Sequence, residues 1–213
     1  MDKDLCRRLL YFAAQSNAIE NAYVGLDDLR SQIIRKTHDC HVGALLLADN
    51  LAKSSILLEE RHLHEMHRRI IVEQNEKCLA DEYIPKKWRG AYRTVNVRVG
   101  DYVAPHHRKV PALMKAHFQQ IHALQRRKPS HALFEKDVNS IVGEIANIHH
   151  GFQVIHPFVD GNGRTGRAIS WLLFRFFELN SIFFTADDRF ETYYPACKQK
   201  RLMREYFLSR YQM

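Results

Sequence analysis

The four cysteines of this chain, Cys6, Cys40, Cys78 and Cys197, form no CxxC pair and no close cluster. That spacing excludes a zinc ribbon and suggests no disulfide framework; reduced thiols of a cytoplasmic protein are the expectation. No apolar run approaches the ~20 residues of a membrane span. The first residues, Met-Asp-Lys-Asp-Leu-Cys-Arg-Arg, lack the apolar stretch of a signal peptide. No membrane partner is expected, and delivery into another cell stays open. Internal repeats, low-complexity segments and linkers are also missing. Residues 1–84 contain no proline and only two glycines, which favours helix throughout that region.

What is present suits one domain, or one domain with an appendage, at 213 residues. Such a length buries about 70% of the surface exposed on unfolding, so no metal or disulfide is needed for stability. The hydrophobic fraction of 46% and the charged fraction of 26% are those of an ordinary globular protein. The net charge is +8. It fits nucleic acid, an acidic partner, a polyanionic substrate such as a nucleotide, or merely a solvated basic surface.

Leu5, Leu9, Phe12, Ser16, Ile19 and Tyr23 step by four and three, so they share one helical face. A second helical pattern lies within 41–75, with Leu63, Met66 and Ile70 on one stripe. Residues 92–110 differ. Val95, Val97 and Val99 alternate with polar residues before Gly100-Asp101, which predicts a short β-hairpin. Phe134, Val138, Ile141, Ile145, Ile148 and Phe152 then mark an amphipathic helix central to the core. It should end near His156, because Pro157 disfavours helix in the residue before it. Ile169, Leu172, Leu173, Phe176 and Phe177 mark another helix, ending about Asn180.

Between those two helices, residues 156–167 read His-Pro-Phe-Val-Asp-Gly-Asn-Gly-Arg-Thr-Gly-Arg. Glycines let a backbone approach a ligand closely, and a helix N-terminus presents free N–H groups to phosphate. Arg164 and Arg167 are three apart, so both can lie on one side of the first turn and grip a di- or triphosphate. Asp160 beside phosphates calls for a cation, and Mg²⁺ binds one or two carboxylates plus substrate phosphates. His156 has the ordinary pKa of a general base. Together these form a phosphoryl- or nucleotidyl-transfer kit. Other histidines carry less. His64-Glu65-Met66-His67 is one residue short of a HExxH zinc motif, so His62, His64 and His67 read as a solvated face. His38-Asp39-Cys40-His41 lacks a partner cluster, and His149 and His150 flank the core helix without an assigned role.

The loop resembles the Fic family motif, His-x-Phe-x-Asp/Glu-Gly-Asn-Gly-Arg-x-x-Arg, with every defined position present. The resemblance extends over roughly 16–200. It implies a mainly α fold, a helical bundle with one β-hairpin flap over the active site, and an adenylyltransferase using ATP and Mg²⁺. By the same resemblance His156 is the base, Asp160 the metal ligand, and Gly161, Asn162 and Gly163 the anion hole. Arg164 grips the phosphates and Arg167 the γ-phosphate, with Thr165 and Gly166 in the same nucleotide loop, and Phe158 anchors the loop in the core. Val99, Gly100, Asp101 and Tyr102 lie in the flap, which aligns the target chain by strand addition. Tyr193 and Tyr194 resemble the family's adenine-side tyrosine. The segment after them, Lys198-Gln199-Lys200-Arg201, has no asparagine where the family often has one, which leaves the base and ribose contacts open.

Ser16-Asn17-Ala18-Ile19-Glu20-Asn21 resembles a second family pattern, Ser/Thr-x-x-x-Glu-Gly/Asn, borne on an inhibitory helix. The resemblance implies that Ser16, Glu20 and Asn21 form a brake in which Glu20 pairs with Arg167. It divides the chain into an N-terminal helical region, 1–40, and a catalytic domain, 41–213. The expected activity is AMP transfer to a Ser, Thr or Tyr hydroxyl of a target protein, or of the chain itself. Its competitors are UMP, phosphocholine or phosphate transfer, removal of AMP, or nucleotide binding without chemistry. A target docked through the flap is the expected partner, a homo-oligomer is open, and nucleic acid is not expected.

Overall fold

The computed structural model describes residues 3–20, 26–34, 39–77, 83–127 and 135–211. Tyr23, Asn21, His38, Cys78 and Phe134 lie outside them. The described chain is helical apart from one two-stranded hairpin.

Helix α1, Lys3–Ile19, buries Leu5, Leu9, Phe12, Ser16 and Ile19, the face that the stepping predicts. Helix α2, Leu26–Ile34, follows it. The pattern over 41–75 is two helices, α3 (His41–Lys53) and α4 (Glu60–Lys77). Ser55 takes φ +51° between them, a left-handed turn that sequence periodicity does not announce. The Cys40 sulfur caps α3 by accepting from the Gly43 N–H at 3.2 Å. Leu63, Met66 and Ile70 are all fully buried on α4.

Helix α5, Val110–Gln125, starts with Pro111 in its first turn, where a missing N–H costs nothing. Helix α6, Glu135–Ile155, stops one residue before His156, as Pro157 predicts. Helix α7, Asn162–Phe176, is buried on nearly every side, because α1, α3, α4 and α6 all pack around it. It ends at Phe176 rather than near Asn180. Glu178 adopts φ +60°, and the Leu179 N–H closes back on the Phe174 carbonyl at 2.9 Å. A glycine normally signals such a stop, and none is present. A π-helical turn, Arg189–Tyr193, leads into α8 (Tyr194–Lys198) and α9 (Lys200–Tyr211). Phe12, Trp171, Phe184 and Phe207 stack edge and face around these helices, tying α1 and α9 to α7.

The hairpin is far shorter than 92–110. Strand β1 is Arg98–Val99 and β2 is Tyr102–Val103, paired antiparallel with Arg98 opposite Val103. Gly100 supplies the positive φ, +55°, that the two-residue turn needs. Val95, Val99 and Val103 are 38%, 46% and 63% exposed. Among the described residues, no helix is long and apolar enough to cross a membrane.

Candidate active site

The loop between α6 and α7 is held by its own side chains. Phe158 is fully buried. The Asn162 side chain accepts from the Phe158 N–H at 2.9 Å and donates to the Phe158 carbonyl at 3.0 Å. Its amide thus staples the loop, leaving the backbone N–H as the group available to a ligand. The His67 ring stacks on Phe158 with centroids 3.7 Å apart. Its Nδ1 accepts from the Gly90 N–H at 2.9 Å, so Nε2 carries the proton and donates to the Asp160 carbonyl at 2.9 Å. His67 is therefore no part of a solvated face; burial pushes its pKa down to about 3. His62 and His64 are half-buried on the same helix. The reading as a solvated face fails for His64 and His67, because α4 turns that side onto Phe158, while His62 bonds the nearby Glu59 N–H.

His156 takes φ +50°, unusual for a residue with a Cβ. Its Nδ1 lies 3.3 Å from the Gln153 carbonyl; a proton shared there leaves Nε2 with the lone pair. Burial first, and the nearby Arg93 charge as well, push its pKa below the ordinary histidine value. The imidazole is thus a free base at neutral pH.

Arg93 is the residue that sequence reasoning missed here. It is 2% exposed. Its guanidinium donates to the His156 carbonyl at 2.8 Å, the Val95 carbonyl at 2.9 Å and the Pro105 carbonyl, and its N–H donates to the Pro157 carbonyl at 2.9 Å. One side chain joins both stems of the hairpin to the base. Tyr102 adds a second tie, its hydroxyl donating to the Val154 carbonyl at 2.9 Å. Val99, Gly100 and Asp101 at the hairpin tip are exposed.

Gly161 caps α7 at φ +73°, and a Cβ there would meet Ile71 at 2.8 Å. Asp160 stands just before it, exposed, accepting from the Gly161 N–H at 2.6 Å and from Gln74 at 2.6 Å. Burial around the carboxyl opposes its charge, but Arg164, Gln74 and the Gly161 N–H outweigh it, so its pKa lies below the usual carboxylate range. Gln74 also accepts from Arg164, bridging the two. Nothing in the sequence marks Gln74; its role comes from α4 crossing the loop. Among the described residues, no group of three or more His, Cys, Asp or Glu could enclose a metal. Asp160 alone fits a cation that takes its remaining ligands from phosphates and water. Thr165 is fully buried, and Gly166 packs so tightly on α6 that a Cβ would meet Gln153 at 2.3 Å. These two serve helix packing beneath the nest.

Arg164 and Arg167 are 3% and 0% exposed, so neither belongs to a solvated basic face. Arg167 donates to the Ser16 hydroxyl, the Ser16 carbonyl and Glu20 Oε1, each at 2.8 Å, and to the Tyr193 hydroxyl at 3.2 Å. Burial opposes its charge, but Tyr193 and Glu20 outweigh that and hold its pKa above the ordinary guanidinium value. A Cβ on Gly163 would stand 2.1 Å from Glu20 Oε1. The Glu20 carboxylate therefore lies directly on the first turn of α7, where free N–H groups and the helix dipole favour an anion. The helix carrying it has further anchors. Asn17 meets His41 Nδ1 at 2.8 Å, and the Ile19 carbonyl accepts from Tyr194 at 2.9 Å. Tyr193 is 2% exposed, its hydroxyl used on Arg167 and on His149 at 2.9 Å. His149, which seemed only to flank the core helix, supports Arg167 through that tyrosine. Burial pushes its pKa down to about 3.

The arrangement places a free-base imidazole, one exposed carboxylate and a helix-capped anion nest with two buried guanidiniums within one short loop. A profile of the Fic/DOC family matches residues 57–174, from the residues ahead of α4 to α7. The fold is similar to a Fic domain containing signaling protein from Bacteroides thetaiotaomicron VPI-5482, at TM-score 0.74 and 18% identity over 99% of this chain and 87% of that one. It is also similar to the 134–508 fragment of Fic-1 from C. elegans, at TM-score 0.68 and 18% identity over 100% of this chain. A Fic family protein from Desulfovibrio desulfuricans G20 matches at TM-score 0.61 and 22% identity over 99% of this chain. The chain spans 64% of the length of each of the last two. With the family profile covering more than half of its length and its defined motif positions folded into one loop, this chain belongs to the Fic/DOC family.

Proposed function

We propose that this chain is a protein adenylyltransferase that moves AMP from ATP to a Ser, Thr or Tyr hydroxyl of a target protein, and that Glu20 holds it off. The observation that carries the reading is the carboxylate of Glu20 lying on the α7 nest and paired with Arg167 at 2.8 Å. A site built for an anion here holds one supplied by the chain itself.

With the brake released, the N–H groups of the first α7 turn and the guanidiniums of Arg164 and Arg167 would hold the triphosphate. Asp160 is the carboxylate that would hold Mg²⁺; when bound, the ion neutralises phosphate oxygens. His156 Nε2 would take the proton of the target hydroxyl as its oxygen bonds to the α-phosphorus. The bond from that phosphorus to the bridging oxygen breaks, and pyrophosphate leaves with the electron pair. Arg93 holds the flap stems and the base at a fixed separation, so a strand added to the flap would present its hydroxyl to His156.

The test is intact-mass measurement of a target, or of the chain itself, after incubation with Mg²⁺ and ATP. Glu20→Gly should add AMP where wild type adds little, and Glu20→Gly with His156→Ala should add none, a loss of about 10²–10⁴ in rate for a general base. Label surviving in the double variant would remove His156 from the role of base.

A further inference from the structure

Between Tyr83 and Arg127 the chain carries ten Lys or Arg and a single carboxylate, Asp101. That segment holds more than the whole net charge of +8, so the rest of the chain is close to neutral. It is the segment that builds the flap and its stems. Lys86, Arg98, Arg108 and Lys109 are exposed, and no described carboxylate lies within ion-pair distance of any of them. By contrast, Arg167, Arg175 and Arg210 are paired, with Glu20, Asp49 and Asp188. The same hairpin leaves Val95, Val99 and Val103 exposed, and its strands are only two residues each. An exposed apolar strand edge is a place for another chain, and unpaired cations beside it select that chain by charge.

We propose that the flap face recognises an extended, acidic segment of the target protein, with apolar side chains set against Val99 and Val103 and flanking carboxylates against Arg98, Arg108 and Lys109. The use of that segment as an acceptor of AMP rests on the function proposed above; the recognition itself does not. Strand addition supplies backbone hydrogen bonds to any sequence, so the cations would be the element that narrows the choice. Nucleic acid is the competing polyanion. The valines disfavour it, since they offer nothing to a phosphate backbone.

Three peptides test this: one Ser, one Thr and one Tyr embedded in a β-prone segment flanked by Glu, by Gln or by Lys. Fluorescence anisotropy with the full Glu20→Gly chain, without ATP, reads binding; intact mass with Mg²⁺ and ATP reads transfer. The Glu-flanked peptide should bind at least about 10-fold tighter than the Lys-flanked one, and added salt should erode that preference because exposed pairs are screened beyond ~10 Å at 0.1 M. Arg98→Gln with Lys109→Gln should cost the Glu-flanked peptide about 10-fold while the thermal midpoint stays put. Equal binding of all three peptides, or binding insensitive to salt, would overturn the proposal. So would a short DNA duplex that binds tighter than the Glu-flanked peptide and loses affinity in the same variant, which would reassign the face to nucleic acid. Preferential acidic binding without transfer would sustain the surface and sink the adenylyltransferase reading. Equal transfer to all three peptides would do the reverse.

Discussion

The two sides of the catalytic loop are finished to different degrees. On the α1 side each guanidinium nitrogen of Arg167 has an acceptor, and Glu20, Ser16 and Tyr193 close around it. On the flap side three valines face outward from a hairpin that is too short to be stable alone. The first side is a charged network bonded within the chain, the second an exposed apolar edge. A buried charged network loses much when one member is removed; an exposed edge loses almost nothing. The contrast is between a charged contact closed within the chain and an apolar hairpin left exposed; on the function proposed above, the first would be the place of regulation and the second the place of recognition.

The comparison breaks most visibly at its buried pole. Arg167→Ala should cost about 3 kcal/mol, because it takes the charged donor from the buried Ser16 and from the partly exposed Glu20 carboxylate; urea unfolding reads it. Acid should act through the histidines buried around the loop and core. His67 and His149 titrate at about 3 and His117 at about 4 in the folded chain, each lowered first by burial. The unfolded chain, with histidines near ~6.5, binds more protons in that window, so stability falls as pH drops below ~6.5. By about pH 5.5 the three together account for up to ~4 kcal/mol, and midpoints unchanged between neutral pH and pH 5.5 would contradict their neutral burial.

Arg93 is where the two sides meet. Arg93→Gln should destabilise by about 3 kcal/mol, since three carbonyls lose a charged donor. It should also let the His156 pKa rise toward the ordinary value, because the Arg93 charge is one of the causes holding it down. Observing the histidine ring by NMR through a pH titration separates this from mere loosening. At the exposed pole, Val103→Thr should change stability by less than ~0.5 kcal/mol. A larger loss would mean that the flap edge is already covered.

What the sequence made legible follows from how short-range each signal is. The α1 face, the stop of α6 at Pro157 and the loop with its two arginines rest on local spacing, and local spacing survives folding. The pairing of Glu20 with Arg167 was legible only through the family pattern, because 147 residues separate the two. Arg93, Gln74, His67 and His149 were invisible. Each looks like a surface residue by type: Gln74 and His67 are brought by α4, Arg93 by the irregular segment ahead of β1, and His149 by the face of α6 that meets Tyr193. The short hairpin was legible from the valine alternation and Gly100-Asp101, but not that pairing stops after two residues on each strand. The break at Ser55 and the end of α7 at Glu178 escaped because both use left-handed residues other than glycine.

The central claim is that Glu20 occupies the place of a phosphate and that its removal licenses AMP transfer. It is tested most directly by giving wild type and Glu20→Gly ATP labelled on either its α- or its γ-phosphate, with Mg²⁺ and an unlabelled lysate, and imaging protein-bound label. The account predicts α-label on protein with Glu20→Gly, little with wild type, and γ-label with neither. Equal α-label from both chains would contradict the brake, and γ-label on protein would contradict the chemistry.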